Sequence, residues 1–567
     1  MPDSSTELRR VADTFWDDVM HDSPTWATIL GDRRFDDRLD DRSPEGLART
    51  EAMFRRTLDA ARAIDSAALS PAERVTHRML IDIVEGQLAA HATRIHEWDV
   101  DPLSGPQTFF LDLPEYQTIS TPEDGRNLVA RWRAMGPYLD QAIADLRESL
   151  ADGRVAVAMP VDRVIDELHG LESLKPEDWK LAAPLQLALE DWSGADREAF
   201  RRDLMAAVTD VAIPAFWRYR DALERVVRPA ARSNDRPGLA HIPGGEDAYR
   251  AMIRYHTSLD LEPEAVHRTG LDEIARIDAA FVELGGRVLG TRDLESTLAA
   301  LREDPKLRFS TADEVFDTAA RSLEKARAAI PDWFGRLPQA ECEVVPVPEH
   351  AQAHQTIAYY REPALDGSRP GRYYINLYEP DTRPRYEAEA LAFHESIPGH
   401  HLQLAIAQEL EGLPAFQRLM GSTAFVEGWG LYTERLSDEM GLYSGDLDRL
   451  GVLSYDAWRA GRLVVDTGMH ALGWTRQQAI DYLHAHTALA DNNIANEVDR
   501  YITTPAQALA YKTGQLEMLR LREDARRRLG PRFDIKGFHD TLLGSGLVNL
   551  PTLAELVDGW VEERLAA

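Results

Sequence analysis

Apolar positions recur every three or four residues along most of the chain, which is the spacing of helices that bury one face. Thr311-x-x-Glu314 precedes one such run and has the form of a capping box. Pro331 should end it, because proline cannot continue a helix. This run comprises Phe316, Ala320, Leu323, Ala326 and Ile330. The pattern predicts helix in both halves of the chain.

A second helix start is predicted near the C-terminus. Thr504-Pro505-x-Gln507 offers a capping residue, a first-turn proline and a capping-box glutamine. A long periodic run follows and ends near Gly530. We therefore expect a long helix that begins beside Pro505.

Short strands are predicted only in the middle of the chain. Residues 344–347, 357–360 and 373–377 are rich in β-branched and aromatic side chains. The last two segments are separated by Pro363–Gly371, whose prolines and glycines are typical of a loop. The sequence contains no internal repeat or long linker. We expect a helical N-terminal lobe over residues 1–340 and a catalytic lobe over residues 341–567, which contains the small sheet.

Composition narrows the class of protein. The 567 residues carry a formal charge of −31 and a single cysteine, Cys342. The charge disfavours nucleic acid and anionic membranes as partners, and one cysteine cannot make a thiolate-only metal site. The first twenty residues contain no uninterrupted apolar stretch typical of a secretory signal. We expect a cytoplasmic protein without a membrane partner, and the oligomeric state stays open.

The candidate chemistry lies in residues 394–401, which read His-Glu-Ser-Ile-Pro-Gly-His-His. In the zincin motif H-E-x-x-H, two histidines four residues apart lie on nearly one helix face and reach one metal ion. Here the second histidine follows six residues after His394, and an ideal helix would turn it by about 240° and move it by about 9 Å. A regular helix therefore cannot bring this pair to one metal.

Pro398 and Gly399 change that expectation. Proline lacks the amide hydrogen and its ring clashes with the carbonyl four residues earlier, so the helix should break within this segment. Glycine tolerates the backbone that the break requires. If the extra residues bulge out, His400 can return to the face of His394, although spacing alone leaves His401 as the alternative ligand.

A third metal ligand is predicted in Phe425–Glu434. Glu427 lies between apolar neighbours, and a helix here could pack back against the first. Glu434, seven residues later, shares its face and suits a role behind the ligands. The alternative for Glu427 is an ordinary carboxylate on a helix surface.

Further candidates surround this core. Tyr511 and His470 could donate hydrogen bonds to a tetrahedral intermediate. The alternative for Tyr511 is core packing of an amphipathic helix, and the alternative for His470, which the sequence favours, is a buried histidine with satisfied hydrogen bonds. The segment Tyr373–Leu377 could bind an extended peptide by strand addition, with Arg372 and Asn376 fixing a terminus or side chain of the substrate. Ordinary sheet structure is the alternative for this segment.

At these residues the chain resembles the bacterial domain-of-unknown-function family 885. The family's H-E-x-x-P-G-H matches residues 394–400, and its E-G-W-x-L-Y-x-E matches residues 427–434. Members of this family resemble metallopeptidases of the clan that includes angiotensin-converting enzyme and carboxypeptidase Taq. The resemblance implies a mainly α, large two-lobed helical fold, with a small β-sheet beside the active-site helix and a central cleft.

The resemblance also implies site roles. His394, His400 and Glu427 correspond to ligands of one zinc ion, and Glu395 corresponds to the catalytic carboxylate. We therefore expect a zinc-dependent peptidase that cleaves short peptides through a metal-activated water, with Glu395 as general base. A metal-dependent amidase or esterase with a non-peptide substrate is one alternative, and a non-catalytic zincin-like binding protein is another.

Overall fold

The computed structural model describes residues 3–352, 356–365, 367 and 369–567. Asp366 and Ser368, which belong to the loop expected between the last two strands, lie outside the described residues. The described part of the chain is mainly helical, as the periodicity predicts.

The first eleven helices cover most of residues 4–257, and π-helical turns at 207–212 and 223–227 separate α8, α9 and α10. Their bounds are α1 Ser4–Asp22, α2 Pro24–Ile29, α3 Pro44–Arg62, α4 Pro71–Ala92, α5 Pro106–Tyr116, α6 Pro122–Ala151, α7 Ala158–Gly170, α8 Gly194–Ala206, α9 Ile213–Ala222, α10 Arg228–Ala230 and α11 Gly245–Thr257.

Fourteen further helices follow among the described residues. Their bounds are α12 Pro263–Val288, α13 Leu294–Glu303, α14 Ala312–Ala329, α15 Glu349–Gln352, α16 Ala388–Glu395, α17 His400–Gln408, α18 Ala415–Leu419, α19 Thr423–Glu439, α20 Asp446–His470, α21 Arg476–His486, α22 Asp491–Thr503, α23 Leu509–Leu529, α24 Ile535–Leu543 and α25 Leu550–Ala566.

The two predicted helix starts have different outcomes. Thr311 caps α14 by accepting a hydrogen bond from the amide of Glu314, as its sequence predicts. The start predicted at Thr504 is wrong, because the Thr504 hydroxyl donates to the carbonyl of Arg500 at the end of α22. Ala506 then takes a left-handed backbone conformation with φ 66°. Helix α23 therefore begins only at Leu509, although it ends beside Gly530 as predicted.

The three predicted strands form one small sheet with shifted bounds. Strands β1 (Cys342–Pro346), β2 (Ala358–Arg361) and β3 (Gly371–Ile375) lie in the order β1-β3-β2. Strand β3 is parallel to β1 and antiparallel to β2. Helix α16 packs against β2, and α17 packs against β3. The sheet thus lies beside the helices that carry the histidines, as expected.

The chain divides into two compact units. One unit contains residues 1–9, 61–86 and 249–567, and the other contains residues 10–60 and 87–248. The boundary predicted near residue 340 is therefore misplaced, because α12 and α14 pack against α20 and α16 within the first unit. The second unit has its own core, in which the buried Trp132 donates a hydrogen bond to the carbonyl of Leu181.

Across the described residues, no helix is both long and apolar enough to cross a membrane.

Candidate metal centre

The helix breaks where Pro398 and Gly399 predict a break. Helix α16 ends at Glu395, the Ile397–Pro398 peptide bond is cis, and α17 begins at His400. The indole of Trp429 donates to the carbonyls of Pro398 and Gly399, at 3.0 and 3.2 Å. The turn between α16 and α17 is thus held from α19, the helix that also carries Glu427.

The break brings His400 to His394. Their ring centroids lie 4.7 Å apart and the two rings are nearly perpendicular, at 88°. Both side chains are largely buried, with 4% and 11% of the side-chain surface exposed. The two imidazoles therefore meet at one point, as the bulge hypothesis predicts.

His401 faces the sheet instead. Its Nε2 lies 3.0 Å from the carbonyl oxygen of Ala340, and its Nδ1 lies 2.9 Å from the hydroxyl of Tyr360. A carbonyl can only accept, so Nε2 carries the proton and Nδ1 accepts from Tyr360. Burial lowers the pKa of His401 to about 4. Both ring nitrogens of His401 are thus engaged by the protein, and His400 is the histidine that faces His394 and Glu427.

Glu427 joins the two histidines in a group of three side chains that could hold a metal ion. Its Oε2 lies 3.8 Å from Nε2 of His394 and 3.6 Å from Nε2 of His400. One ligand atom from each residue lies within 4.8 Å of the other two. The helix predicted around Glu427 is α19, and it packs against α16 as expected.

Glu434 orients His394 from behind. Its Oε1 lies 2.8 Å from Nδ1 of His394, and both groups are buried. A carboxylate only accepts hydrogen bonds, so Nδ1 carries a proton, and Nε2 is the ring nitrogen that faces Glu427. The NH2 of Arg459 lies 3.5 Å from the same oxygen of Glu434. Glu434 thus lies behind His394, the position that the sequence predicts for it.

The charges in the cluster are strongly coupled. Burial alone would lower the pKa of His394, but Glu427 and Glu434 outweigh it and raise that pKa to about 9. Burial would raise the pKa of Glu427, but the two imidazoles hold it well below its ordinary value. The carboxylate of Glu427 is therefore ionised, as a metal ligand requires.

Gly430 allows the close approach of α19 to α16. A Cβ atom at this position would lie 2.5 Å from Cε1 of His394, which is closer than side chains tolerate. Gly514 has a similar role where α23 crosses α19, since its Cβ would meet the carbonyl oxygen of Ala424. The backbones of α19 and α23 therefore approach closely at Gly514.

Glu395 follows the first ligand directly and is only half-buried. Tyr373 of β3 lies near it: burial and the charge of Glu395 together raise the pKa of Tyr373 well above its ordinary value. Tyr373 is fully buried. Tyr373 and Glu395 are therefore close enough to interact electrostatically, and Glu395 directly follows His394 in the chain.

Tyr511 also lies near the group. Burial and the charge of Glu427 raise the pKa of Tyr511, so its hydroxyl stays protonated and can donate. The guanidinium of Arg462 lies over the Tyr511 ring, 4.4 Å from its centroid. The side-chain amide of Gln507 approaches the Tyr511 hydroxyl at 3.5 Å.

His470 is enclosed by contacts with other parts of the protein. Its Nε2 lies 2.8 Å from the carbonyl oxygen of Tyr501, and its ring stacks on Tyr249. The residue is completely buried. These contacts match the buried, satisfied histidine that was the alternative to a catalytic role.

The substrate role expected of β3 needs correction. Strand β3 is central and paired along both edges, so it has no free edge for an added peptide strand. Arg372 alternates to the opposite face from Tyr373 and lies 3.7 Å from Glu343 on β1. The amide of Asn376 donates to the carbonyls of Gln352 and Thr356. Arg372 and Asn376 therefore hold local structure, and only Tyr373 lies toward Glu395.

Three contributors were not predicted from the sequence. Trp429 holds the turn between the histidines, Arg459 contacts Glu434, and Arg462 lies over Tyr511. For Arg459 and Arg462 the available signal was their position in the largely apolar middle of α20, because buried charges need partners.

Comparison with known proteins assigns the chain to a family of bacterial proteins. Residues 24–557 match the family described as "Bacterial protein of unknown function (DUF885)". The chain belongs to this family, as the two motifs around the histidines and Glu427 suggest. No curated protein matches the chain.

Two solved structures share the fold. A "putative lipoprotein" from Colwellia psychrerythraea is 26% identical with a TM-score of 0.92, and the match covers 99% of this chain and 100% of that one. A second "putative lipoprotein of unknown function", from Shewanella oneidensis, is 19% identical with a TM-score of 0.77, over 97% and 99% of the two chains.

Proposed function

We propose that the protein is a zinc-dependent hydrolase of the zincin type, and specifically a peptidase that acts on short peptides. The observation that carries the proposal is the convergence of His394, His400 and Glu427 on one point directly beside Glu395. Two imidazoles and one carboxylate, with a position left for water, are the ligand set of catalytic zinc sites in peptidases.

The donor set fits one zinc ion. Zinc–ligand bonds of about 2.0–2.1 Å in tetrahedral geometry separate neighbouring ligand atoms by roughly 3.3–3.4 Å. The distances from Glu427 to the two imidazoles, 3.6 and 3.8 Å, are close to this value and long for hydrogen bonds. The carboxylate of Glu434 behind His394 also matches the outer partner that zinc-binding histidines usually have.

Zinc bound here would polarise a substrate carbonyl and lower the pKa of a water molecule. Glu395 directly follows His394 in the sequence. The residue is only half-buried, so its side chain can exchange protons with water. In the proposed reaction Glu395 accepts a proton from the attacking water and later delivers it to the nitrogen of the leaving amine.

Tyr511 supplies a second protein group to the reaction. Its protonated hydroxyl donates to the oxygen on which negative charge develops, while Arg462 fixes the ring from one side. Of the two donors expected from the sequence, Tyr511 is retained in the proposal, because it lies near Glu427 and His470 is occupied by Tyr501.

The test compares wild type with Glu395→Gln. Both are purified without added metal, their zinc content is measured, and both are incubated with a mixed peptide library that is analysed by mass spectrometry. We expect both proteins to hold zinc and the variant to cleave roughly 100- to 10,000-fold more slowly.

Two results would contradict the proposal. Equal cleavage by both proteins would remove Glu395 from the chemistry. Zinc binding without cleavage of any peptide would favour the amidase or esterase alternative, or a binding protein that has no turnover.

A further inference from the structure

Two arginines lie close to Tyr511, one of the residues proposed to act on the substrate. The guanidinium of Arg462 lies over the Tyr511 ring. Arg500 reaches the same tyrosine through Gln507: its Nη1 donates to Oε1 of Gln507 at 2.8 Å, and the amide nitrogen of Gln507 lies 3.5 Å from the Tyr511 hydroxyl. Burial and Glu427 raise the pKa of Tyr511. Arg462 and Arg500 oppose that change, so both cations act on the Tyr511 hydroxyl.

The two guanidinium groups share one carboxylate. Among the ion pairs of the described residues, Arg462 and Arg500 both pair with Glu497, at 3.0 and 2.9 Å. Asp466 also lies near Arg500, but burial raises its pKa to about 7, so it carries only part of a negative charge at neutral pH. The group therefore holds an excess of positive charge, in a chain whose formal charge is −31.

Arg462 also has an unused donor. Its Nε donates to the hydroxyl of Tyr501 and its Nη2 to Glu497. Its Nη1 is buried and meets no acceptor among the described residues. The rings of Trp458 and Tyr511, each with its centroid 4.4 Å from the guanidinium carbon, offset part of the charge. A buried donor without a partner is costly, so an acceptor from outside the chain, a water molecule or a ligand, completes it.

Solvent reaches this group of residues from the metal centre outward. The side chain of Glu427 is 22% exposed, and that of Arg500 is 19% exposed. Three side chains that contact the two arginines are also partly exposed: Trp458, Gln507 and Tyr511. Arg462 is only 4% exposed, so Arg500 is the cation that a ligand meets first.

We propose that Arg500, supported by Arg462, binds the C-terminal carboxylate of the peptide substrate. The inference rests on the peptidase function proposed above and names its substrate class, which is peptides with a free C-terminus that are cleaved near that end. Three of the five N–H groups of Arg500 donate to Glu497 and Gln507, which leaves one each on Nη1 and Nη2. Two N–H donors on one guanidinium match the two oxygens of a carboxylate.

The binding test compares the two ends of one peptide. Zinc-loaded Glu395→Gln is titrated with a hexapeptide in three forms: free at both ends, amidated at the C-terminus, and acetylated at the N-terminus. We expect amidation to weaken binding at least about tenfold, because it removes the charge that Arg500 contacts, and acetylation to have little effect. Equal binding of the free and amidated forms would overturn the proposal. So would equally tight binding of an amidated peptide that ends in glutamate, since a side-chain carboxylate would then be the ligand.

A substitution at Arg500 gives an independent test. When Arg500→Gln is added to the Glu395→Gln protein, binding of the free peptide should fall about tenfold and binding of the amidated peptide should not change. Equal weakening of both forms would show that Arg500 only supports the structure, and would contradict the proposal. Arg520→Gln is the matched control, because Arg520 is exposed and, like Arg500, pairs with a glutamate three positions earlier. The control should keep the preference for the free carboxylate.

The two proposals fail in different ways. Cleavage of the free and amidated peptides by wild type at equal rates would overturn the carboxylate assignment and leave the peptidase function standing. A clear preference for the free carboxylate in binding, without cleavage of any peptide, would overturn the peptidase function and leave Arg500 as an anion-binding residue. If Arg500→Gln does not fold, the comparison of the free and amidated peptides alone decides the assignment.

Discussion

Two clusters of buried charge lie within the same unit and are neutralised in different ways. Around Asp456, the ammonium of Lys512 lies 2.6 Å from one carboxylate oxygen, and Arg435 lies 2.5 Å from the other. Lys512 is completely buried and also contacts Glu273, at 2.9 Å. Burial would raise the pKa of Asp456, but Lys512 and Arg435 hold it well below its ordinary value.

Around Glu427 the neighbours are imidazoles instead. His394 and His400 approach its carboxylate no closer than 3.6 Å. An imidazole, unlike an ammonium or guanidinium group, can be neutral and present a lone pair. The comparison teaches that buried charge alone does not indicate a binding site. The first cluster contains its own permanent cations, whereas the imidazoles of the second can lose a proton and then present a lone pair to an external cation.

The largest effect is expected from removing the ammonium of Lys512 from the cluster around Asp456. Lys512→Met leaves Asp456 and Glu273 buried with less positive charge, so we expect the free energy of unfolding to fall by about 3 kcal/mol. Urea unfolding measures this change, and Lys306→Met at an exposed position is the control. Zinc content should stay at the wild-type value. A folded Lys512→Met protein that has lost zinc would show that the two clusters are not independent.

A smaller effect is expected from changing Glu434, which contacts His394 in the cluster around Glu427. Glu434→Gln keeps an acceptor for His394 but removes the negative charge, so we expect zinc affinity to fall roughly 10- to 100-fold. Competition with a fluorescent chelator measures this affinity. Glu439→Gln, on the same helix but exposed, should bind zinc as wild type does. Equal affinity in Glu434→Gln would mean that His394 needs no carboxylate behind it.

The smallest effect is expected from the protonation of His539, a buried histidine whose hydrogen-bond partners are uncharged. His539 contacts the carbonyl of Trp333 and the hydroxyl of Tyr432, and burial lowers its pKa to about 3. The pKa of His539 in the folded state lies below its unfolded value of about 6.5. The contribution of His539 to the free energy of unfolding is therefore fully present above pH 6.5 and is lost as the pH falls below that value. At pH 5.5 we expect a loss of about 1 kcal/mol relative to pH 8.

Chemical unfolding at the two pH values measures that loss, and His539→Phe is the matched variant. The variant should lose less stability between pH 8 and 5.5, because it no longer takes up this proton on unfolding. An identical pH dependence in both proteins would contradict the neutral state of His539.

Local patterns predicted much of this structure. The three-to-four-residue spacing predicted α14, the β-branched runs predicted the three strands, and Pro398 predicted the break after α16. Each of these features depends on neighbouring residues in the sequence. The same holds for the approach of Glu427 to His394, since α16 and α19 are close in the sequence and pack against one another.

Contacts between distant residues could not be predicted in this way. The choice of His400 over His401 depends on Tyr360 and Ala340, which engage His401 from other segments. The central place of β3 depends on strand order, which its own residues do not encode. The late start of α23 depends on Thr504, whose hydroxyl binds the preceding helix instead of capping the next.

The most direct test of the account is the zinc stoichiometry of three proteins: wild type, His401→Gln, and the double variant His394→Ala/His400→Ala. Each is stripped with a chelator, reloaded with zinc, dialysed and analysed by atomic emission, with circular dichroism as a check of folding. We expect about one zinc ion per chain in wild type and in His401→Gln, and essentially none in the folded double variant. One zinc ion per chain in the double variant would contradict the proposed site.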